Sequence, residues 1–288
     1  KSLVFKNFGA NCELIVSAIT LTSDIGLQDY LVGTMKGILY DTVPQQLVID
    51  ISHEITPFNF PQAAYICQSA FPRFPQGCYH FILVNLLTKH EEPFLLCKHK
   101  GQYFFCANNG LLSMILNEPP EEMIQITDIG TKNTLDIVHR FATLVAELEK
   151  GSKLEELGTP VQNFEERKPL EPIIQEDHIE GQIIYIDRFE NVIVNITRTF
   201  FERARKGRSF KINVMRDDYI TKIHNRYTDV PAGGKIAFFN TSGYLEIAIN
   251  KGNAAGLFGL KSYTQNTKSE HTHFRNQMFY QTIRIYFE

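Results

Sequence analysis

A surplus of either charge sign is missing from these 288 residues: 29 Lys plus Arg stand against 32 Asp plus Glu, for a formal net charge of -3. Without a basic surplus the chain does not read as a dedicated nucleic-acid binder. Long apolar runs are missing too, and none approaches the roughly 18 residues that span a bilayer, so no membrane partner is expected. Lys6, Asn7, Asn11 and Glu13 interrupt any apolar stretch near the first residues, so a secretory leader is not expected either. Cysteine is sparse: Cys12, Cys67, Cys78, Cys97 and Cys106 are odd in number and contain no Cys-x-x-Cys pair. That excludes a disulfide framework and a zinc knuckle, and several of the five sit in apolar runs where a thiol packs as a small hydrophobe. A reducing, cytoplasmic setting is the expectation. There is no glycine-rich phosphate loop and no Gly-x-Ser-x-Gly elbow, which removes kinases, classical dehydrogenases and serine hydrolases.

What is present is a hydrophobic fraction of 43%, enough for full cores, over a length that suits two domains or one large one. In the first half strands alternate with helices. Residues 14–21 form a mostly apolar run ending in Thr22-Ser23-Asp24-Ile25-Gly26, and Leu31, Met35, Ile38 and Leu39 then share a helical face. Residues 46–51 and 78–84 read as further strands, with a helix opened by Pro61 between them, whose small apolar residues suit it to lie close on a sheet. A hairpin over 94–106, a short helix after Asn109-Gly110 and a strong amphipathic helix over 135–149 follow. The pattern predicts an α/β domain with a largely parallel sheet flanked by helices over residues 12–158. Residues 159–180, rich in Pro and acids, read as a linker. Residues 181–288 are mostly short strands, which predicts an all-β, barrel-like domain.

Several residue groups could carry chemistry. Asp24 follows the first strand and precedes a helix, at the edge where open α/β sheets bind ligands. It could accept the two hydroxyls of a ribose, or simply cap the helix at a tight turn. Asp187-Arg188-Phe189-Glu190-Asn191 lies between two strands, and is either a turn or an aromatic face and amide for a base. Asn240-Thr241-Ser242-Gly243-Tyr244 is a small polar loop, with Asn250 further on, that could bind a carboxylate or amine or just reverse the chain. Glu246 falls inside an apolar strand, which requires solvent or a partner. His271 and His273 have strand-ligand spacing but no third ligand, so no metal is expected. Arg203, Arg205, Lys206 and Arg208 read as a solvated basic face at a helix end.

Taken together, five stretches resemble one family in order along nearly the whole chain: residues 19–37 (ITLTSDIGLQDYLVGTMKG), 48–64 (VIDISHEITPFNFPQAA), 106–116 (CANNGLLSMIL), 186–196 (IDRFENVIVNI) and 239–260 (FNTSGYLEIAINKGNAAGLFGL). The chain resembles the S-adenosylmethionine (SAM) hydroxide adenosyltransferases, or SAM hydrolases, relatives of the bacterial fluorinase and chlorinase. The resemblance implies a homotrimer whose site is shared between neighbouring subunits, with SAM as substrate or ligand and no further cofactor. The reaction it implies is attack at ribose C5′ with methionine leaving. By motif, Asp24 would hold the ribose diol, Asp29 would lie at the methionine end and Phe58 would wall the nucleoside. Asp187 would meet the methionine ammonium, and Phe189 and Asn191 would take the adenine. Thr241 and Ser242, with Tyr244, Glu246 and backbone near Asn250, complete the implied substrate-binding set.

The departures from the family pattern concern the water. Hydrolases of the family carry Asp-Pro-Gly-Val-Gly and then Arg after the third strand. Here the run is Asn85-Leu86-Leu87-Thr88-Lys89-His90-Glu91-Glu92, so Asn85 replaces the Asp and Glu92 falls at the Arg. The family's later His falls at Asp136, with His139 three residues on. Thr88 stands where the fluorinase has a threonine beside its substrate. The resulting expectation is an enzyme that cleaves SAM to adenosine and methionine, with Asn85, Thr88 and Asp136 as the catalytic set: Asn85 and Thr88 orient the water, and Asp136, or alternatively His139, is its base. The alternative is a non-catalytic SAM or adenosine sensor. Halogenation is not expected, since no small-residue halide pocket replaces the His stretch.

Overall fold

The computed structural model describes residues 17–87, 93–116, 118–129, 133–215, 218–260 and 281–288, and its contacts divide the chain into two units. The first comprises the described parts of Lys1–Ile55, Ala70–Asn109 and Glu118–Phe164; the second comprises those of Thr56–Ser69, Gly110–Asn117 and Glu165–Glu288. Cys12, Thr88, Glu92, His271 and His273, singled out above, lie outside the described residues.

In the first unit, β1 (Ala18–Ser23) is buried along its whole length, as its unbroken apolar and Thr/Ser sequence requires of a central strand. Helix α1 (Leu31–Thr42) returns the chain to β2 (Leu47–Ser52), which pairs parallel with one side of β1. Strand β3 (Tyr79–Leu83) pairs parallel with the other side. The strand order therefore reverses about β1, and the crevice at the carboxyl ends of β1 and β3 is a topological switch point. Beyond β3 come β5 (Gln102–Ala107), β4 (Phe94–His99), β6 (Glu122–Ile126) and β7 (Thr159–Pro160), completing seven strands among the described residues. Strands β4 and β7 run against the rest. Helix α4 (Thr134–Glu149) packs beside α1, where Val32, Met35, Leu39, Val138 and Phe141 bury against Ile19, Leu21, Phe81 and Phe105 of the sheet.

The second unit holds helices α2 (residues 60–69 of Phe60–Ala70) and α3 (Leu111–Ile115) and an antiparallel sheet. Among the described residues its order is β12 (Asp218–Ile220), β11 (Phe210–Met215), β15 (Thr282–Phe287), β9 (His178–Ile186), β10 (Val192–Thr197), β14 (Tyr244–Ile249) and β13 (Lys235–Phe239). Strand β8 (Ile173–Ile174) pairs with β9 as well. A bridge between Ile223 and Ala237, with the His224 N–H donating to the Ala237 carbonyl at 2.8 Å, brings the two ends of the order together, so the sheet is a nearly closed barrel. Its core is apolar and branched: Ile179, Val192, Val194, Ile212, Leu245, Ile247 and Ile285 with Phe201 of α5 (Arg198–Arg205).

Two local expectations gain detail. In the helix opened by Pro61 the small residues Ala63, Ala64 and Cys67 are buried, and its polar and aromatic residues meet the barrel as well: Tyr65 packs on Tyr185 and Tyr244 at 5.5 and 5.2 Å, and Gln68 accepts from the Tyr244 hydroxyl at 2.9 Å. The basic run at the end of α5 is not simply a solvated face. Arg203 and Lys206 are exposed, but Arg208 donates to the carbonyls of Ala204, Arg205 and Glu176 and lies over Phe287. It closes the helix end, where backbone acceptors lack partners.

Candidate functional site

In the first unit the switch point is built by loops that follow the parallel strands. Asp24, half-buried, comes directly after β1, and its Oδ2 accepts the backbone N–H of Asn85 at 2.9 Å. Burial pushes its carboxyl above the usual range, against the pull of that N–H and of its own. Asn85 comes two residues after β3, is buried, and sits at φ 50°, a left-handed conformation that asparagine tolerates better than most residues. Its carbonyl and that of Val84 both accept from the side-chain amide of Asn109, at 3.1 Å each, so the loop after β5 fixes the loop after β3. Gly26 takes φ 76° with nothing within 4 Å of the position a Cβ would occupy; its backbone conformation, not crowding, calls for glycine.

Two other predicted residues of this unit have helix-starting roles. Asp29, exposed, accepts the N–H of Leu31 at 2.9 Å as α1 begins. Asp136 lies in the first turn of α4, where its N–H donates to Asn133 Oδ1 at 2.9 Å and its carboxylate accepts from Asn133 Nδ2 at 2.7 Å. His139 is exposed one turn further on. The structure thus brings Asp24 and Asn85 into contact.

A group that the sequence reading quoted but gave no role adjoins Asp24. Ser23, fully buried, has its hydroxyl 2.7 Å from Nδ1 of the buried His53. Nε2 of His53 lies 3.2 Å from Asp50 Oδ1, an ion-pair distance off the straight line of a strong hydrogen bond. The other Asp50 oxygen meets Lys36 of α1 at 2.6 Å. Burial raises the Asp50 carboxyl, but Lys36 and His53 outweigh it and hold the group below the usual range. A register shift between Leu21 and Thr22 pairs Thr22 with Ser52, and so sets Ser23 against His53.

In the second unit the turn at residues 187–191 is a turn and a polar cluster at once. Asp187 Oδ1 accepts the N–H groups of Phe189 and Asn191 at 2.8 and 2.9 Å, and its Oδ2 accepts from the Asn191 amide at 3.0 Å. The same amide donates to Glu246 Oε1 at 3.1 Å. Tyr227, which the sequence reading missed, donates its hydroxyl to that oxygen at 2.7 Å. The partner that Glu246 requires inside its strand is therefore present. Burial pushes Glu246 above the usual carboxylate range, and Asp187 adds to the effect. Phe58 and Phe189 are 70% and 77% exposed, large rings left in solvent.

Asn240 closes its own loop, its Oδ1 accepting from the N–H groups of Ser242 and Tyr244 at 3.0 and 3.1 Å and its amide donating to Tyr65 at 3.1 Å. Thr241 is exposed on that loop and Ser242 half-buried. Burial drives the Tyr65 hydroxyl up to about 12. Asn250 binds elsewhere: its amide donates to the Val230 carbonyl at 2.8 Å and its N–H to Gly234 at 3.0 Å, bracing the loop before β13. The second unit therefore gathers Asp187, Asn191 and Glu246 with Tyr227, and separately Tyr244 with Tyr65, Tyr185 and Gln68. Among the described residues no group of three or more His, Cys, Asp or Glu is placed to hold a metal ion, and no helix is long and apolar enough to cross a membrane.

Comparison with known proteins adds to this geometry. Residues 19–158 match the SAM hydroxide adenosyltransferase N-terminal domain and residues 181–266 the C-terminal domain of the same family. An (R)-S-adenosyl-L-methionine hydrolase of Thermus thermophilus is 26% identical over 254 residues, covering 83% of this chain and 94% of its own. A fluorinase of Nocardia brasiliensis is 26% identical over 287 residues, covering 85% and 94%. Among solved structures, an uncharacterized conserved protein from Thermotoga maritima superposes with a TM-score of 0.76 at 25% identity, over 93% of this chain and 99% of the other.

Proposed function

Because the chain belongs to the SAM hydroxide adenosyltransferase family, we propose that it binds SAM and cleaves it with water at ribose C5′, releasing adenosine and L-methionine. The observation that carries this reading is Asp24, an acceptor held by the Asn85 N–H at the switch point, where the two hydroxyls of a ribose can donate to it. In the reaction the water oxygen forms a bond to C5′ as the C5′–S bond breaks. The bonding pair goes to the sulfonium, which leaves as the neutral thioether of methionine, and the water gives up a proton. Since the substrate carries its own leaving group, alignment of the water supplies much of the rate.

The roles in this reading are as follows. Asp24 takes the ribose diol, with Asp29 at the methionine end and Phe58 walling the nucleoside. Phe189 and Asn191 take the adenine. Asp187 meets the methionine ammonium; its two oxygens already accept three hydrogen bonds, which leaves Oδ2 one of about four lone-pair sites in all. Thr241, Ser242, Tyr244 and Glu246 complete the substrate set, and Asn250 contributes through the backbone it braces. Asn85 and Thr88 orient the water, with Asp136 or His139 as its base. A homotrimer, with no cofactor beyond SAM itself, belongs to the same reading, as does the cytoplasmic setting.

A second reading, binding of SAM or adenosine without turnover, rests on one residue: Asn85 is a carboxamide, which cannot take a proton, at the position where the family's hydrolases carry Asp. The test is incubation of the purified full chain with SAM, following adenosine and methionine by chromatography and SAM binding by calorimetry. Hydrolysis predicts adenosine above the no-protein control, abolished in Asp24→Ala together with most of the affinity. Tight binding without product establishes the second reading. In either case Asn85→Asp is expected to raise turnover, because it restores a group that can accept the water's proton.

A further inference from the structure

The residues on either side of Asp24 are anchored to a single partner. The Ser23 hydroxyl lies 2.7 Å from Nδ1 of the His53 ring, and the N–H of Gly26 donates to the carbonyl of His53 at 2.7 Å. A third, longer link runs from the N–H of Ile55 to the Ser23 carbonyl at 3.4 Å. Asp24 and Ile25 are thus the two residues bracketed between contacts that His53 makes with side chain and backbone. The ring itself is oriented from its far side by Asp50, which Lys36 of α1 holds in turn. A buried imidazole needs polar partners at both nitrogens, and here those partners come from the loop that carries Asp24 and from the strand beneath it. Ser23 is fully buried, so its hydroxyl is closed to a substrate. That rules out reading Ser23, His53 and Asp50 as a nucleophilic triad.

We infer that His53 is a positioning residue: through Ser23 and Gly26 it fixes the direction of the Asp24 carboxylate, and so sets how strongly the site selects a ribose that has both its 2′ and 3′ hydroxyls. The inference rests on the reading of Asp24 as the diol acceptor. A carboxylate locked in direction can receive two hydroxyls at once, whereas one on a loosened turn receives them at the cost of ordering the turn.

The experiment compares dissociation constants of adenosine and 2′,3′-dideoxyadenosine for the full chain, by calorimetry. The unmodified protein is expected to prefer adenosine by about tenfold or more, the worth of hydrogen bonds to a charged acceptor. Ser23→Ala and His53→Leu should reduce that preference severalfold while dideoxyadenosine affinity stays within about twofold. His53→Asn, whose amide can reach the Nδ1 position, should restore the preference. Asp50→Asn, changed at an exposed side chain and therefore tolerated by the fold, should show the same selective loss in smaller measure. Equal weakening of both ligands in all the variants means His53 only supports the fold, and the inference fails. Preference retained in Asp50→Asn and Ser23→Ala overturns it as well. If the unmodified protein itself shows no preference, the diol reading of Asp24 has failed, and the inference falls with it for that separate reason.

Discussion

Inside the barrel wall, Glu246 shares the Asn191 amide with a second carboxylate, Asp187, and prefers to keep its proton. Its folded-state value lies above the ordinary 4.5, so protonation favours the fold. The stabilisation is complete below the ordinary value and is lost as pH rises through the raised one. Glu246→Gln keeps an acceptor for the Tyr227 hydroxyl and removes the charge. Melting curves recorded from pH 4 to pH 7 should therefore show the variant gaining on the parent as pH rises, by on the order of 1 kcal/mol at neutrality. A constant difference would mean the carboxyl does not titrate in that range. The anomaly was legible in the sequence, since a Glu within YLEIAI needs a reason. Its partner was not: Tyr227 lies 19 residues away in another strand connection, and no local pattern marks it. His53 escaped for the same reason. Its partners Ser23 and Gly26 reach it only once β1 and β2 have paired.

Among the elements, α4 was the easiest to read, because its apolar stripe repeats at helical spacing over four turns and buries against α1 and the sheet. The sequence-based start at Leu135 moves to Thr134, with Asn133 as the cap. Replacing Asn133 by Ala removes an acceptor for the Asp136 N–H and a donor to its carboxylate. The expected cost is about 1 kcal/mol in denaturant unfolding. If Asp136 were to serve as the base, freeing its carboxylate should also change turnover, whereas a purely capping Asp136 predicts unchanged turnover per folded molecule. The elements that stayed hidden are short. Strands β7 and β8, two residues each, give no periodicity and are held by backbone pairing to β6 and β9. Strand β12 has three residues, and β6 sits between acidic and proline-containing turns that mask its alternation.

At the scale of the molecule, the described residues of the first unit bury three thiols, Cys78, Cys97 and Cys106, the last two inside the central strands. Burial pushes Cys106 up to about 12 and Cys97 well above the ordinary thiol range. With almost no thiolate at neutral pH and no access, both should resist a disulfide reagent at pH 8 and react only as the chain unfolds. Mass mapping of labelled peptides against denaturant checks this; labelling of either in the native protein would contradict the burial. Fold class was legible because both periodicities are strong, but strand order was not. The hairpin β4–β5 enters the sheet with its second strand next to β3, and β15 enters the barrel between β11 and β9. Neither choice is written in local sequence; each follows from which edges remain to be covered.

That position of β15 reaches into how the chain is made. Glu180 at the start of the barrel and Arg284 near its end, 104 residues apart, bond side by side. A ribosome releases the first of these long before the second. Until β15 emerges, β9 and β11 each present a strand edge with no neighbour between them, so the barrel cannot close before that strand has been made. The nascent chain in that interval exposes apolar edges, the condition that calls on holding chaperones.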